Sequence, residues 1–462
     1  MRLRKRDVRA RVKGPIPVEF SDEALSSYGG LELLRRFVVR RALPRRLREA
    51  LAPHGLDADY GVFGIVGTIL ALIIVGGWRL SHVGFVGTDP VILRFAGLKR
   101  LPSDRTLGRW LQRVSDPARL ALETLIRTLV YEQIERSKLR RLTVDIDGTV
   151  LRTGVQVEGA ARGFNPHHPK DKSYYPITAH LAELGQILRV WNRPGNVNDS
   201  HNAVGFVRGV VRDLRERFGR RMPIRLRMDG AFFGPAMLQF LDEERDDLHW
   251  AMKVPLWEWL GVREQITARH RWWPVTSGIE GFSSGVCFGK DGWPAAVRVV
   301  IYRKRVFHRT RKNYQLDLFS PDDGTFEYSA VATNLDWSVR RLWHFMAGRG
   351  AHEKTLGELK SAFAFDAIPS QDRQANAAWQ MLSVLALNLI RDFQIHLGAL
   401  RRNPTWKSTY FYRYEALQTL RFTTLQIPAR LVRPQGRTKL RLAAAPRARD
   451  RLRAALRQLD AA

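Results

Sequence analysis

The residues best equipped for chemistry are carboxylates. In LTVDIDGTVLRTG, Leu142 to Gly154, two aspartates stand two residues apart at the end of an apolar run, followed by Gly-Thr. A second acid, Asp229, closes the run PIRLRM and is followed by glycine, and a third, Glu353, lies in GRGAHEKTLGELK between Arg349 and Lys360. Two chemistries compete for the first pair. A phosphatase would use Asp145 as nucleophile and Asp147 as general acid, and would need an acidic pair on a later strand; Asp229 is followed by no acid until Asp242. A nuclease would need three carboxylates from separate elements, holding two divalent ions about 3.5–4 Å apart for in-line attack on phosphorus. Carboxylates suit Mg²⁺ because it is a hard cation that takes oxygen ligands and keeps several waters. Asp147, Asp229 and Glu353 meet that second demand if the strands carrying the two aspartates pair. Asp145 shares a strand face with Asp147, since the strand repeat is two. It is therefore a supporting group or the true ligand, with the Gly-Thr register favouring Asp147.

The elements that must position these acids change character along the chain. Residues 1–140 read as helical: GLELLRRFVVRRALPRRLREAL carries apolar residues at three-and-four spacing with arginines on the other face. Within 89–115, Asp89 before Pro90 and Ser103 before a second helix are cap signals, separated by the break GLKRLP. The second helix bears Arg105, Arg109 and Arg113 about one turn apart, a helix-turn-helix pattern suited to DNA. Over 141–256 the predicted order is strand-strand-strand-helix-strand-helix-strand, three antiparallel strands and then two crossover units, which is the order of a ribonuclease H-like core: α/β, with a mixed five-stranded sheet and flanking helices. SYYPITAHLAEL and QILRVWN make its second and third strands, joined through Glu183-Leu184-Gly185. Residues 257–335 read as a β-rich insertion, 336–400 as the second part of the core with the Glu353 helix, and 401–462 as a basic C-terminal region. The arginines of that last stretch, interleaved with Tyr and Trp, suit a groove that tracks a nucleic-acid backbone, or equally a solvated tail.

Composition narrows the partner. The chain of 462 residues has 76 Lys+Arg against 45 Asp+Glu, a net charge of +31, and a pI near 11.0. An excess of that size is the footprint of a polyanion, because each neutralised phosphate releases condensed counterions. With 45% hydrophobic residues the chain is no disordered polycation. The single cysteine, Cys287, excludes an internal disulfide framework and leaves zinc fingers without ligands, which fits a reducing cytoplasm, and a DNA partner there means association with the nucleoid. Tyr60 to Trp78 is free of charge and long enough to approach a membrane span. Its five glycines and flanking arginines favour a buried helix of an N-terminal bundle, with no membrane. His167, His168 and His180 lack a fourth ligand for zinc and read as loop or DNA-facing residues.

The pattern resembles a known family. GRGAHEKTLGELK is similar to the R-x3-E-x6-K signature of DDE transposases from bacterial insertion sequences, the group with a YREK-type signature and a β insertion before the catalytic Glu. DIDGT and MDGAFF resemble the family's first two acidic strand ends, and YGGLELLRRF, GLKRLPSDRTLGR, the RPGN loop and LALNLIRDF extend the likeness over most of residues 25–395. The resemblance implies that Asp147, Asp229 and Glu353 are catalytic ligands of Mg²⁺, with Mn²⁺ able to substitute. It implies that Arg349 and Lys360 hold DNA phosphate, that Glu358 supports the site, and that Trp272 or Trp273 of the insertion stacks on a displaced base, unless they form its aromatic core. Met346 stands where the signature has Tyr, so Trp343 or Phe345 would have to replace its DNA contact. The implied activity is cut-and-paste transposition on double-stranded DNA, terminal inverted repeats and target alike, by a homodimer in a paired-end complex. The alternative is a transposase-derived DNA-binding protein that has lost catalysis.

Overall fold

The computed structural model describes residues 16, 18–154, 156–163, 170–197, 199–287, 293–294, 296–305, 326–398 and 414–461. The N-terminal part is helical: α1 (Leu31–Arg40), α2 (Leu43–Leu51), α3 (Gly61–Val75), α4 (Pro90–Ala96), α5 (Asp104–Gln112) and α6 (Asp116–Arg136). Their starts follow from side chains that satisfy first-turn N–H groups. Asp89 accepts from the Val91 and Ile92 amides, Ser103 from Thr106 and Ser115 from Ala118. α3 is apolar all round and buried from Gly64 to Val75, enclosed by α2, α4 and a long helix from the other end of the chain. Among the described residues no single helix is long and apolar enough to cross a membrane. Only α3 together with Leu80–Val86, bent by 88°, meets the length and composition of a span.

The strands that carry the acids form one sheet. In chain order they are β1 (Leu142–Gly148), β2 (Ile177–Leu181), β3 (Gln186–Trp191), β4 (Ile224–Met228), β5 (Leu248–Val254), β6 (Trp273–Thr276), β7 (Ile279–Cys287), β8 (Ala296–Arg305) and β9 (Phe326–Thr333). Their spatial order is β6-β7-β8-β9-β5-β4-β1-β2-β3. β1, β4 and β5 are parallel, connected through α7 (Ala203–Phe218) and α8 (Pro235–Glu243), whereas β2 and β3 are antiparallel. The five strands expected of the core are there, but among the described residues the sheet has nine. The insertion is not a separate module: β9 pairs with β5, Ala330 against Val254, and the hairpins continue outward. An open β5 edge offers unpaired N–H and C=O groups, and β9 satisfies them. The strand read as SYYPITAHLAEL also divides at Pro176, which has no N–H for a ladder. Lys172–Tyr174 pairs instead with Leu151–Arg152 and Ala161–Arg162 in a small sheet.

Period-two alternation sorts the two faces of the large sheet. Leu142, Val144 and Ile146 of β1, Ile177, Ala179 and Leu181 of β2, and Leu226 and Met228 of β4 point into one apolar core with α7 and α8. Asp145, Asp147, Thr178, His180 and Arg227 occupy the opposite face, beneath α9 (Val339–Ala347) and α10 (Gly350–Phe363). α11 (Arg373–His396) follows, buried along nearly its whole length, and shares a second core with α1 to α6.

Residues 401–413, with Trp406 and Tyr410 of the expected basic tail, lie outside the described residues. From 414 to 461 the chain is folded rather than a solvated tail. α12 (Pro446–Ala461) packs on α1, and the Arg421 guanidinium donates to the carbonyls of Ile73, Ile74 and Ala362, each at 2.7 Å. Those carbonyls lie in the last turns of α3 and α10, where regular helical hydrogen bonding runs out. The apolar length of α3 is thus used as an internal post. Ile69→Ala, at its fully buried centre, is expected to cost about 2–5 kcal/mol, read as a lower urea midpoint with an unchanged slope.

Candidate active site

Parallel pairing of β1 and β4 sets Ile146 opposite Met228, so the residues that follow, Asp147 and Asp229, emerge side by side at the same sheet end. Glu353 comes from the first turn of α10. Arg349, at the N-cap of that helix, gathers all three. Its Nη2 lies 2.8 Å from Asp147 Oδ2, and its Nη1 lies 2.9 Å from Asp229 Oδ2 and 3.6 Å from Glu353 Oε1. Lys253 Nζ stands 3.6 Å from Asp229 on the outer side. Glu353 remains 64% exposed, so the centre opens toward solvent at that carboxylate.

A second arginine secures the floor. Arg227 on β4 meets Asp145 on β1 in a two-pronged pair, Nε–Oδ1 2.5 Å and Nη2–Oδ2 2.8 Å, and donates its remaining Nη1 to the Phe345 carbonyl. Asp145 is fully buried and committed to this pair, so it supports the site while Asp147 reaches the opening. His180, expected in a loop or facing DNA, is instead buried on β2 with Nδ1 3.4 Å from Asp145. Strand alternation turns it to the polar face, where it stacks on His352 of α10, centroids 4.9 Å apart and planes within 8°. His352 Nε2 is 3.2 Å from Thr178 Oγ1, and its Nδ1 is 4.0 Å from Asp147. His167 and His168 lie outside the described residues.

A fourth acid is not evident from the sequence. Asp199, in the loop after β3, accepts from the Tyr175 hydroxyl at 2.8 Å and lies 3.7 Å from Arg193. Its carboxylate crosses directly above Gly148, where any side chain would collide with it and with the Tyr175 ring. That contact is a reason for glycine immediately after Asp147. The RPGN run marks the loop but not the acid. For Arg227 and His352 a signal does exist: charged or polar residues placed in buried register require partners.

The charges explain the titration of the group. Burial pushes the Asp147 carboxyl up to about 7, with Asp229, Asp199 and Glu353 adding to the rise and Arg349 opposing it. Burial acts the same way on Asp229, but Arg349 and Lys253 outweigh it and leave that carboxyl below its ordinary range. Burial also disfavours ionised Asp145, yet Arg227 and the His180 hydrogen bond bring it down to about 2. Burial lowers both His180 and His352, so the stacked pair is held neutral at physiological pH.

A family model described as transposase DDE domain, group 1, matches residues 8–462. The chain belongs to this family of DDE transposases. No curated protein matches it in sequence. Among solved structures, a cryo-EM structure of a piggyBac transposase synaptic complex with hairpin DNA is similar at 12% identity and a TM-score of 0.45, covering 86% of this chain and 80% of that one.

In this DDE transposase the residues expected to touch DNA fall into three groups. Arg105, Arg109 and Arg113 are exposed on or just after α5. Arg105 and Arg109, with Arg79 and Arg152, line a groove of about 910 Å³ between α5 and the 366–370 segment, while Arg113 donates to the Gly55 carbonyl. Lys360 is half-buried, donates to the Val150 carbonyl at 3.0 Å, and has its ammonium lowered by burial. Arg349, expected on phosphate, is instead 3% exposed and engaged by the acids. Trp272 packs edge-on against Phe282 at 4.8 Å beneath the Arg303 guanidinium, as part of the insertion's own packing, whereas Trp273 is 48% exposed. Met346 is buried in the cluster of α9 and the outer strands. Trp343 and Phe345 are likewise taken up, against Tyr302 and Trp337, so neither stands free in the Tyr role. Glu358 accepts from the Leu417 amide at 2.8 Å and pairs with Arg391, which fastens the C-terminal segment to α10.

The donor set suits a hard divalent cation, three carboxylates at one sheet end with burial and mutual repulsion for a cation to relieve. Among the described residues no three acidic, histidine or cysteine side chains stand close enough to share one ion as they are, and Arg349 occupies the space between Asp147 and Asp229. Because the Asp147 carboxyl is raised from 3.8 to about 7, its ionisation opposes folding. Its favourable contribution is present below pH 4 and is lost as pH rises through 7. Asp147→Asn has no such loss, so in EDTA its stability relative to wild type should climb between pH 4 and 7 and level off above. Urea unfolding at stepped pH reads this directly.

Proposed function

We propose that this chain is a cut-and-paste transposase: it cleaves DNA at transposon ends and transfers the freed strand into target DNA, using Asp147, Asp229 and Glu353 as ligands of Mg²⁺ or Mn²⁺. The observation that carries the reading is the convergence of these three carboxylates, from two adjacent parallel strands and one later helix, on a single guanidinium at 2.8, 2.9 and 3.6 Å. The strand order β5-β4-β1-β2-β3, with three parallel and two antiparallel strands, supports a ribonuclease H-like core. The resemblance of Gly348 to Lys360 to the bacterial insertion-sequence signature supports assignment to that group.

Both steps are in-line displacements at phosphorus. Water displaces the 3′ oxygen at the transposon end, and the freed 3′-hydroxyl then displaces a 3′ oxygen of the target strand. Divalent ions, when bound, supply Lewis acidity toward the phosphoryl oxygen and the attacking oxygen. The chain's own part is placement. Asp145 and Arg227 fix the β1 and β4 ends, the neutral histidine pair supports Asp147 from below, and α10 brings Glu353 over them. The arginine-lined groove of α5 suits the phosphate backbone of a terminal repeat, and the net charge of +31 suits a complex holding two ends in a dimer.

Asp147→Asn, Asp229→Asn and Glu353→Gln should each abolish cleavage while end binding stays within about threefold of wild type. The test is excision of a marker flanked by the gene's native flanking DNA, scored by junction PCR, beside gel shifts of the same DNA. Excision by any one variant removes that residue from the assignment. Binding without excision by wild type favours the non-catalytic DNA-binding protein.

A further inference from the structure

We infer that the guanidinium of Arg349 is the resident counter-cation of the carboxylate centre, and that a divalent ion entering the centre displaces it outward to a DNA phosphate. This rests on the metal reading proposed above. One guanidinium lies within ion-pair distance of Asp147, Asp229 and Glu353, at 3% exposure, so it occupies the place where the three charges need a cation. A divalent ion held by Asp147 and Asp229 would compete for their carboxylates with this guanidinium, which contacts Asp147 Oδ2 and Asp229 Oδ2.

The two arginines of the site differ in how they are held. Arg227 spends Nε and Nη2 on Asp145 and Nη1 on the Phe345 carbonyl. Arg349 has Nε and Nη2 buried without a well-formed hydrogen bond, held by charge and not by a complete bonding set. Its C-terminal neighbour Gly350 has open space where a side chain would stand, and Glu353, the next acid along the helix, leads to solvent. Its one well-formed hydrogen bond is from Nη1 to Asp229 Oδ2 at 2.9 Å, and an arginine with so incomplete a set is displaced by a larger charge, its planar fork then suiting phosphate. Competition at the centre therefore becomes cooperation between ligands. Whatever draws Arg349 onto DNA raises affinity for the cation, and the cation raises affinity for DNA by the same factor. Without DNA the acids keep Arg349 as their partner.

The test is calorimetric titration of Mn²⁺ into the full-length chain without DNA, comparing wild type with Arg349→Gln, and with Asp147→Asn as the ligand control. The expected result is Mn²⁺ binding at least about tenfold tighter in Arg349→Gln than in wild type, and lost in Asp147→Asn. Equal or weaker binding in Arg349→Gln, with wild type still binding, overturns the counter-cation role and leaves the metal reading standing. No Mn²⁺ binding by either overturns both. Should Arg349→Gln not fold, wild type decides by dicarbonyl footprinting with peptide mass spectrometry. Arg349 protected without Mn²⁺ and modified with it supports the inference; modification that Mn²⁺ does not change overturns it.

Discussion

Two aspartates on one face of β1 place two carboxylates side by side on a sheet face covered by helices, and the rest of that face is arranged around their charge. Asp145 is neutralised completely by Arg227, which also ties β4 to β1 and reaches the Phe345 carbonyl of α9. Asp147 is compensated only in part, by Arg349, because Asp229, Asp199 and Glu353 crowd the same space. The contrast separates a fully paired carboxylate from a partly compensated one two residues later. Burying both with complete partners would leave nothing for a ligand to bind; leaving both uncompensated would cost the fold several kcal/mol per ion.

The same constraint explains what lies around the sheet. The apolar face is finished by α7 and α8, but the polar face needs a cover that brings charge with it. α10 does this, with Arg349, His352 and Glu353 in its first turns, and Arg421 and Glu358 bind it to the N-terminal helices and the C-terminal segment. α3, apolar on every side, then serves as the post against which α11 and the C-terminal segment close. Distant parts of the chain thus converge on holding one short helix over one pair of strands.

Much of this arrangement is legible in the amino-acid sequence. The helical start with its Asp89 and Ser103 caps and the strand order of the core rest on local rules: capping chemistry and side-chain period. The period also puts Asp145 and Asp147 on one face and makes His180 a face residue, though not one whose partner can be named. The nine-stranded sheet is not legible, because the pairing of β9 with β5 is a contact between edges, and an edge carries no sequence signal beyond its strand. Asp199 is hidden for a similar reason. A loop acid becomes part of a site only when the loop's path is known.

What the sequence by itself determined is the set of candidate residues: three acids spaced on two strands and a helix, with an arginine and a lysine in register beside the last, in a chain with a net charge of +31. Spacing along a strand or helix fixes direction, and direction is enough to nominate Asp147, Asp229 and Glu353. Only the tertiary structure decided how those charges are balanced. Arg349, which the sequence offers to DNA, is turned inward among the carboxylates, because the strength of an ion pair depends on distance and on the water excluded around it, and neither is written in a single element.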